Sequence, residues 1–253
     1  MNTRPHVISL QGMSKTYRLG ETSVRALVEA SLELSTGEML ALTGPSGSGK
    51  STLLNLAGLI DTPDAGQYRL DGRDLGQLDE KARTLLRREA IGFIFQGFNL
   101  VPVMTVADNV DYPLFLAGVP TSERRRRVKE MLEKVGLSEQ AHRRPDALSG
   151  GQRQRVAVAR ALIKCPRLVI ADEPTANLDS HTAEQVIALI RELCHEEGAA
   201  CLVATHDDRM TGRCDRVVAM RDGCILAADQ ASLSSASREV FPAKDNVLAP
   251  SAV

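Results

Sequence analysis

The sequence has no excess of either charge. Lys+Arg 31 against Asp+Glu 32 over 253 residues leaves a formal net charge of -1, so it lacks the basic surplus of a general nucleic-acid binder, and any phosphate must be recognised locally. Its five cysteines, Cys165, Cys194, Cys201, Cys214 and Cys224, form no CxxC pair and have no ligand-like spacing to a histidine. That argues against zinc and against a disulfide framework, and fits a reducing cytosol. Nowhere do about 18 apolar residues run uninterrupted, and the opening MNTRPHVISL has no long apolar core, so neither a membrane span nor a signal peptide is expected. Membrane contact would have to come through a partner. No internal repeat is visible.

What is present is an alternation of short apolar runs with helical patterns. HVISLQGM, ASLELS, EMLALTG, GFIFQ, RLVIAD, ACLVATH and RVVAMRDGCIL read as strands, and GKSTLLNLAGL and SHTAEQVIALIREL as helices that follow strands directly. This is the pattern of an α/β domain with a largely parallel sheet. Residues 104 to 164 carry helical patterns with no strand between them, which suggests a helical lobe inserted into the sheet domain. In TSERRRRVKEMLEKVGL, Thr121 or Ser122 reads as the N-cap, Val128, Leu132 and Val135 as the apolar face, and Gly136 as the stop. The Arg124 to Arg127 run reads as a solvated helix face. The last stretch, ASLSSASREVFPAKDNVLAPSAV, has few large apolar residues and reads as a poorly ordered tail.

Two glycine clusters stand at helix entries, where glycine has a cost and so implies close backbone approach. The first, GPSGSGKST, fits G-x-x-x-x-G-K-[ST] from Gly44 and lies between an apolar strand and a helix, as a phosphate-binding loop requires. Gly44, Gly47 and Gly49 let the loop turn its amides inward around phosphate oxygens. Lys50 supplies a charge near the β and γ phosphates, and Ser51 offers a hydroxyl to Mg²⁺. The second magnesium-side group would be Asp172, at the end of RLVIADEP, with Glu173 placed to handle a water attacking the γ-phosphate.

The second cluster, LSGGQ at 148–152, lies at the start of the helical GGQRQRVAVARALIK. Together with GPSGSGKST and ADEP it resembles the signature motif of the nucleotide-binding subunits of ATP-binding-cassette (ABC) transporters, a match covering roughly residues 8 to 226. The resemblance implies an α/β P-loop NTPase (RecA-like) core with an N-terminal antiparallel β subdomain and an inserted α-helical subdomain. The ATPase domain would span 7–230, with about 7–96 and 165–230 in the core and β subdomain, about 97–164 in the helical subdomain, and 231–253 as tail. It also implies a homodimer in which the signature of one copy closes over ATP·Mg²⁺ held by the other, and a helix N-terminus suits that task.

On the same resemblance the loop Gly44, Pro45, Ser46, Gly47, Ser48, Gly49, Lys50, Ser51 and Thr52 holds nucleotide from one side, and Ser149, Gly150, Gly151 and Gln152 close it from the other. Tyr17 stacks on adenine. Gln96 reaches the Mg²⁺ and the attacking water, Asp179 of ANLD lies at the dimer interface, and His206 contacts the γ-phosphate. Arg153, Arg155 and Arg160 read as solvated or paired. LAGLIDTPDAGQYRLDG, FIFQGFNLVPVMTVADNVDYPL and ADEPTANLDS resemble the lipoprotein-release and macrolide-export subgroup. Its permease would be a separate polypeptide, placing this chain at the cytoplasmic face of the cell membrane. Phe98, Leu100, Val101 and Val103 stand where the resemblance puts a permease contact; the other reading is that they fill the joint between the sheet domain and the helical lobe. A regulatory ATPase controlling cell-wall hydrolases is the alternative. A DNA-repair ATPase is disfavoured, because no sustained heptads separate the two glycine clusters, and a two-cassette translation factor is disfavoured by the single copy of each motif.

Overall fold

The computed structural model describes residues 6–20 and 22–226; the expected tail at 231–253 lies outside them. The chain opens with two long antiparallel strands, β1 (His6–Leu19) and β2 (Thr22–Ser35), followed by β3 (Met39–Thr43), α1 (Lys50–Ala57), β4 (Ala65–Leu70) and β5 (Arg73–Asp74). Next come α2 (Glu80–Ala90), β6 (Ile91–Phe95), α3 (Val106–Leu116), α4 (Thr121–Lys134), α5 (Gly150–Leu162) and β7 (Leu168–Asp172). The described chain closes with α6 (Ser180–Glu196), β8 (Ala200–Ala204), α7 (Asp208–Thr211), β9 (Arg216–Arg221) and β10 (Cys224–Ile225).

These strands form two sheets. One is antiparallel, in the order β2-β1-β4-β5; the other runs β10-β9-β3-β8-β7-β6 and is parallel except for β10. Period-two alternation along the central strands sends side chains to two cores. Leu168 and Ile170 of β7 and Leu202 of β8 pack with the buried leucines of α1 and the inner face of the antiparallel sheet. Val169, Ala171, Cys201 and Val203 point the other way, into a core shared with α3, α4, α5 and α6. Helix α1 is therefore sandwiched between the sheets, which fixes the loop that leads into it.

Between Phe95 and Leu168 only helices and turns occur. In α4, Val128, Leu132 and the following Val135 are buried as expected, and Gly136 leaves the helix at φ 68°. Its cap differs from the sequence reading. Pro120, at φ -57°, is the N-cap and makes no side-chain cap bond, so Thr121 and Ser122 lie inside the first turn; proline's fixed φ directs the chain into the helix without a capping hydroxyl. Three of the four arginines in the run are paired: Arg126 binds Glu123 and Glu130, Arg127 binds Glu123, and Arg124 reaches Asp111 of α3 at 2.6 Å. The two arginines hold the Glu123 carboxyl down at about 2.

Candidate active site

The loop after β3 is shaped by close backbone approaches. A Cβ on Gly44 (φ 144°) would lie 2.3 Å from the Met220 carbonyl oxygen, and one on Gly49 (φ 102°) would lie 2.5 Å from that of Ala26. Only glycine fits at either place. Gly49 also caps α1, whose first residue is Lys50. The Lys50 ammonium donates to the Gly44 and Pro45 carbonyls at 2.7 and 2.9 Å, so it is folded over the loop. Ser48 is buried beneath it.

Strand register delivers the remaining groups to the same end of the sheet. Phe95 pairs with Asp172, and Asp172 with Ala204, so Gln96, Glu173 and His206 emerge together past the strands' carboxyl ends, where ligands bind in open α/β sheets. Glu173 adopts a left-handed φ of 46° and donates its amide to the Ala204 carbonyl at 2.9 Å. That turn brings its Oε1 to 2.8 Å from His206 Nδ1. Burial, then the neighbouring Glu173 charge, raises the Asp172 carboxyl above its usual range, with Lys50 opposing.

A cavity of about 530 Å³ gathers Gly44, Pro45, Ser46, Gly47, Gly49, Lys50, Ser51, Thr52, Gln96, Asp172, Glu173 and His206, with Val24, Arg25 and Ala26 of β2 on its wall. Of the expected nucleotide-side residues, Ser48 lies below the cavity and Tyr17 beside it. The Tyr17 hydroxyl donates to Asp61 Oδ2 at 2.7 Å. Asp179 caps α6, accepting from the Thr182 amide at 3.0 Å.

The signature residues Ser149, Gly150, Gly151 and Gln152 do not line this cavity. Ser149 is exposed and caps α5: its hydroxyl accepts from the Gln152 amide at 3.2 Å, and Gln152 Oε1 accepts from the Ser149 amide at 3.0 Å. This reciprocal box satisfies two amides of the first turn. Gly151 is required by packing, since a Cβ there would lie 2.3 Å from Thr182 Cγ2 of α6.

Two features of the loop after β6 have no counterpart in the sequence reading. Phe98 and Asn99 are consecutive left-handed residues, at φ 61° and 48°. Arg160 of α5 donates to the carbonyls of both, at 2.9 and 2.5 Å, and the Arg153 guanidinium lies 5.0 Å from the Phe98 ring centre. Asn177 donates to the Gln96 carbonyl at 3.0 Å, tying the loop to the segment after Glu173. Of the expected permease contacts, Leu100 packs against the helical core, whereas Val103 is 76% exposed. Tyr112, Phe115 and Leu116 of α3 are also exposed, and the Tyr112 and Phe115 rings stack at 6.5 Å.

The donor set fits a nucleotide with its magnesium. The Ser51 hydroxyl, the Gln96 amide and the Asp172 carboxylate are hard oxygen donors on one cavity wall. No group of three His, Cys, Asp or Glu among the described residues could itself cage a metal, so a cation here would share its shell with phosphate oxygens and water. The glycine loop offers amides where a Cβ would block the backbone.

Comparison with known proteins bears on the family and the fold. The ABC transporter family model matches residues 27–176. The ATP-binding protein LolD of the lipoprotein-releasing system of Hyphomonas neptunium is 45% identical over 220 residues, covering 87% of this chain and 96% of that protein. The macrolide export ATP-binding/permease protein MacB of Syntrophobacter fumaroxidans is 48% identical over 221 residues, which are 87% of this chain and 31% of that longer protein. Among solved structures, a dimeric, post-hydrolysis state of the ATP-binding cassette MJ0796 bound to ADP and Pi superposes with a TM-score of 0.79 at 39% identity, covering 87% of this chain and 97% of that one. The chain belongs to the ABC transporter family, as an ATP-binding subunit with an α/β P-loop fold that groups with the lipoprotein-release and macrolide-export proteins.

Proposed function

We propose that two copies of this chain bind two ATP·Mg²⁺ between them, hydrolyse ATP and drive a separate membrane permease of the export or lipoprotein-release kind. The observation that carries the reading is the meeting of Lys50, Asp172, Glu173 and His206 on one cavity beside the glycine loop. Residues 7–230 would act as the ATPase unit, with the helical subdomain at about 97–164. The permease would hold it at the cytoplasmic face of the cell membrane; among the described residues no helix is long and apolar enough to cross one.

The residues divide the work by chemistry. Lys50, released from the Gly44 and Pro45 carbonyls, and the amides from Gly44 to Thr52 neutralise phosphate charge. Magnesium, when bound, would further screen the charge gathering on the β and γ phosphates. Ser51, Asp172 and Gln96 would hold that cation. Glu173 accepts the proton of the attacking water, whose oxygen displaces ADP from the γ-phosphorus, and His206, hydrogen-bonded to Glu173 through Nδ1, contacts the γ-phosphate and helps position that water. Ser149, Gly150, Gly151 and Gln152 of the second copy close the site, which accounts for Ser149 being exposed and outside the lining of its own chain's cavity. Positioning and electrostatics supply most of the rate enhancement.

Val103, in the segment after Gln96, and Tyr112, Phe115 and Leu116 of α3 are exposed apolar side chains of the kind a short helix of the permease would cover. The LolD and MacB likenesses support a transport role over control of cell-wall hydrolases, and nothing in the charge balance supports a nucleic-acid partner. Phosphate release from ATP and Mg²⁺ by the purified chain, with light scattering for ATP-dependent dimers, tests the reading. Absence of both activities in the presence of its permease would overturn it.

A further inference from the structure

We propose that Asp61 and Lys15 are positioning residues that hold the Tyr17 ring as the platform for the base, and so set the preference for a nucleotide over bare phosphate. The proposal rests on Tyr17 being the base platform, which is part of the reading above.

The contacts form a closed network at the C-terminal end of α1. Tyr17 lies on β1, opposite Val24 of β2, and its hydroxyl donates to Asp61 Oδ2 at 2.7 Å. The other carboxylate oxygen accepts from the Lys15 ammonium at 2.9 Å and from the Thr62 amide at 2.7 Å. Lys15 also donates to the Thr62 carbonyl at 2.6 Å and lies 5.3 Å from the centre of the Tyr17 ring. Its side chain is only 12% exposed, so the ammonium is committed to these partners. The segment bearing Asp61 is itself fixed from behind. Arg83 of α2, a buried arginine, donates to the Asp61 carbonyl at 2.7 Å, and Arg83 and Arg87 both donate to the carbonyl of Leu59, a left-handed residue at φ 57°.

A tyrosine on a solvent-facing strand would otherwise sample several rotamers, and stacking a base would cost that freedom. A charge-assisted hydrogen bond to a carboxylate removes it in advance. Because Asp61 follows α1, and α1 begins at Lys50, the same helix registers the phosphate loop at one end and the ring at the other. The distance between triphosphate and base is thereby built into one rigid element.

The test compares ATP with inorganic tripolyphosphate, which engages only the loop. Asp61→Asn and Tyr17→Phe should each weaken ATP binding by about 10-fold, the range of a lost charge-assisted hydrogen bond, and leave tripolyphosphate binding unchanged. The double variant should be no weaker than either single one, because both remove the same bond. The chain has no tryptophan and three tyrosines, so its emission reports tyrosine directly. Freeing the Tyr17 phenol from a quenching carboxylate should brighten it in Asp61→Asn and not in the Tyr17→Phe background. Tyr17→Leu separates the two ideas. Full ATP affinity in Tyr17→Leu overturns the platform reading itself. Loss of ATP affinity in Tyr17→Leu with normal affinity in Asp61→Asn and Tyr17→Phe overturns only the positioning role, as does an equal loss for tripolyphosphate.

Discussion

His206 Nδ1 lies 2.8 Å from Glu173 Oε1, while the histidine side chain is 75% exposed and the glutamate 19%. The glutamate is thus the fixed member and the histidine the adjustable one. In Glu173→Gln the amide keeps the shape of the site and loses the proton acceptor. Hydrolysis should fall by about 10²–10⁴-fold, with ATP binding retained and an ATP-bound dimer accumulating. Single-turnover phosphate release beside equilibrium nucleotide binding checks this. Near-normal turnover would remove Glu173 from the role.

The shared-site arrangement predicts complementation. Mixing Lys50→Ala with Ser149→Arg chains yields heterodimers in which one composite site carries both lesions and the other carries none. ATP-dependent dimers should return in the mixture and be absent from either homodimer, read by light scattering. A mixture that stays monomeric contradicts the trans closure.

Asp172 gives a pH signature. Its carboxyl keeps its proton to higher pH in the folded chain than in the unfolded one, through burial and then the Glu173 charge. The native state therefore binds more protons between the two values, so this contribution to stability is present below the ordinary aspartate range and lost as pH rises through the raised value. Asp172→Asn escapes that loss. Without nucleotide it should melt higher than the parent at pH 7, with the gap closing in acid. Adding ATP and Mg²⁺ should reverse the order, because the asparagine holds the cation less well. A pH-independent gap in a nucleotide-free melting series would refute the assignment.

The apolar surface separates docking from packing. Phe115→Ser or Val103→Ser should weaken association with the permease and leave the isolated chain's melting temperature within the small range of surface changes, about ±0.5 kcal/mol. Leu100→Ser, which cuts into the helical core, should cost about 1–3 kcal/mol. Co-purification and thermal melts of the three variants decide this; a large melting loss in Phe115→Ser would move the docking site.

The parallel strands and the helices α1, α4, α5 and α6 were legible because burial imposes periodicity: RLVIAD and ACLVATH are apolar on both faces, and α6 shows a clean amphipathic stripe. β4 was not, since AGQYRL presents only Tyr68 and Leu70 to the core. Helix α2 escaped for a sharper reason: its buried residues are Arg83 and Ala90, and an arginine docked on carbonyls leaves no hydrophobic signal. That Gly44, Lys50, Asp172, Glu173 and His206 meet at one cavity was legible because the glycine loop and the acids at a strand end are local patterns. The Tyr17–Asp61 bond and the Arg160 contacts join residues remote in sequence, with 44 and about 60 positions between partners, and no local pattern announces them.

The Phe98–Asn99 pair also has a mechanical meaning. Left-handed backbone at non-glycine positions costs on the order of 1–3 kcal/mol per residue, and hydrogen bonds from a charged donor such as Arg160 return about 1.5–3 kcal/mol each. The two are comparable in size, so the left-handed pair depends on Arg160: with that side chain removed, both carbonyls lose the donor that offsets their conformation.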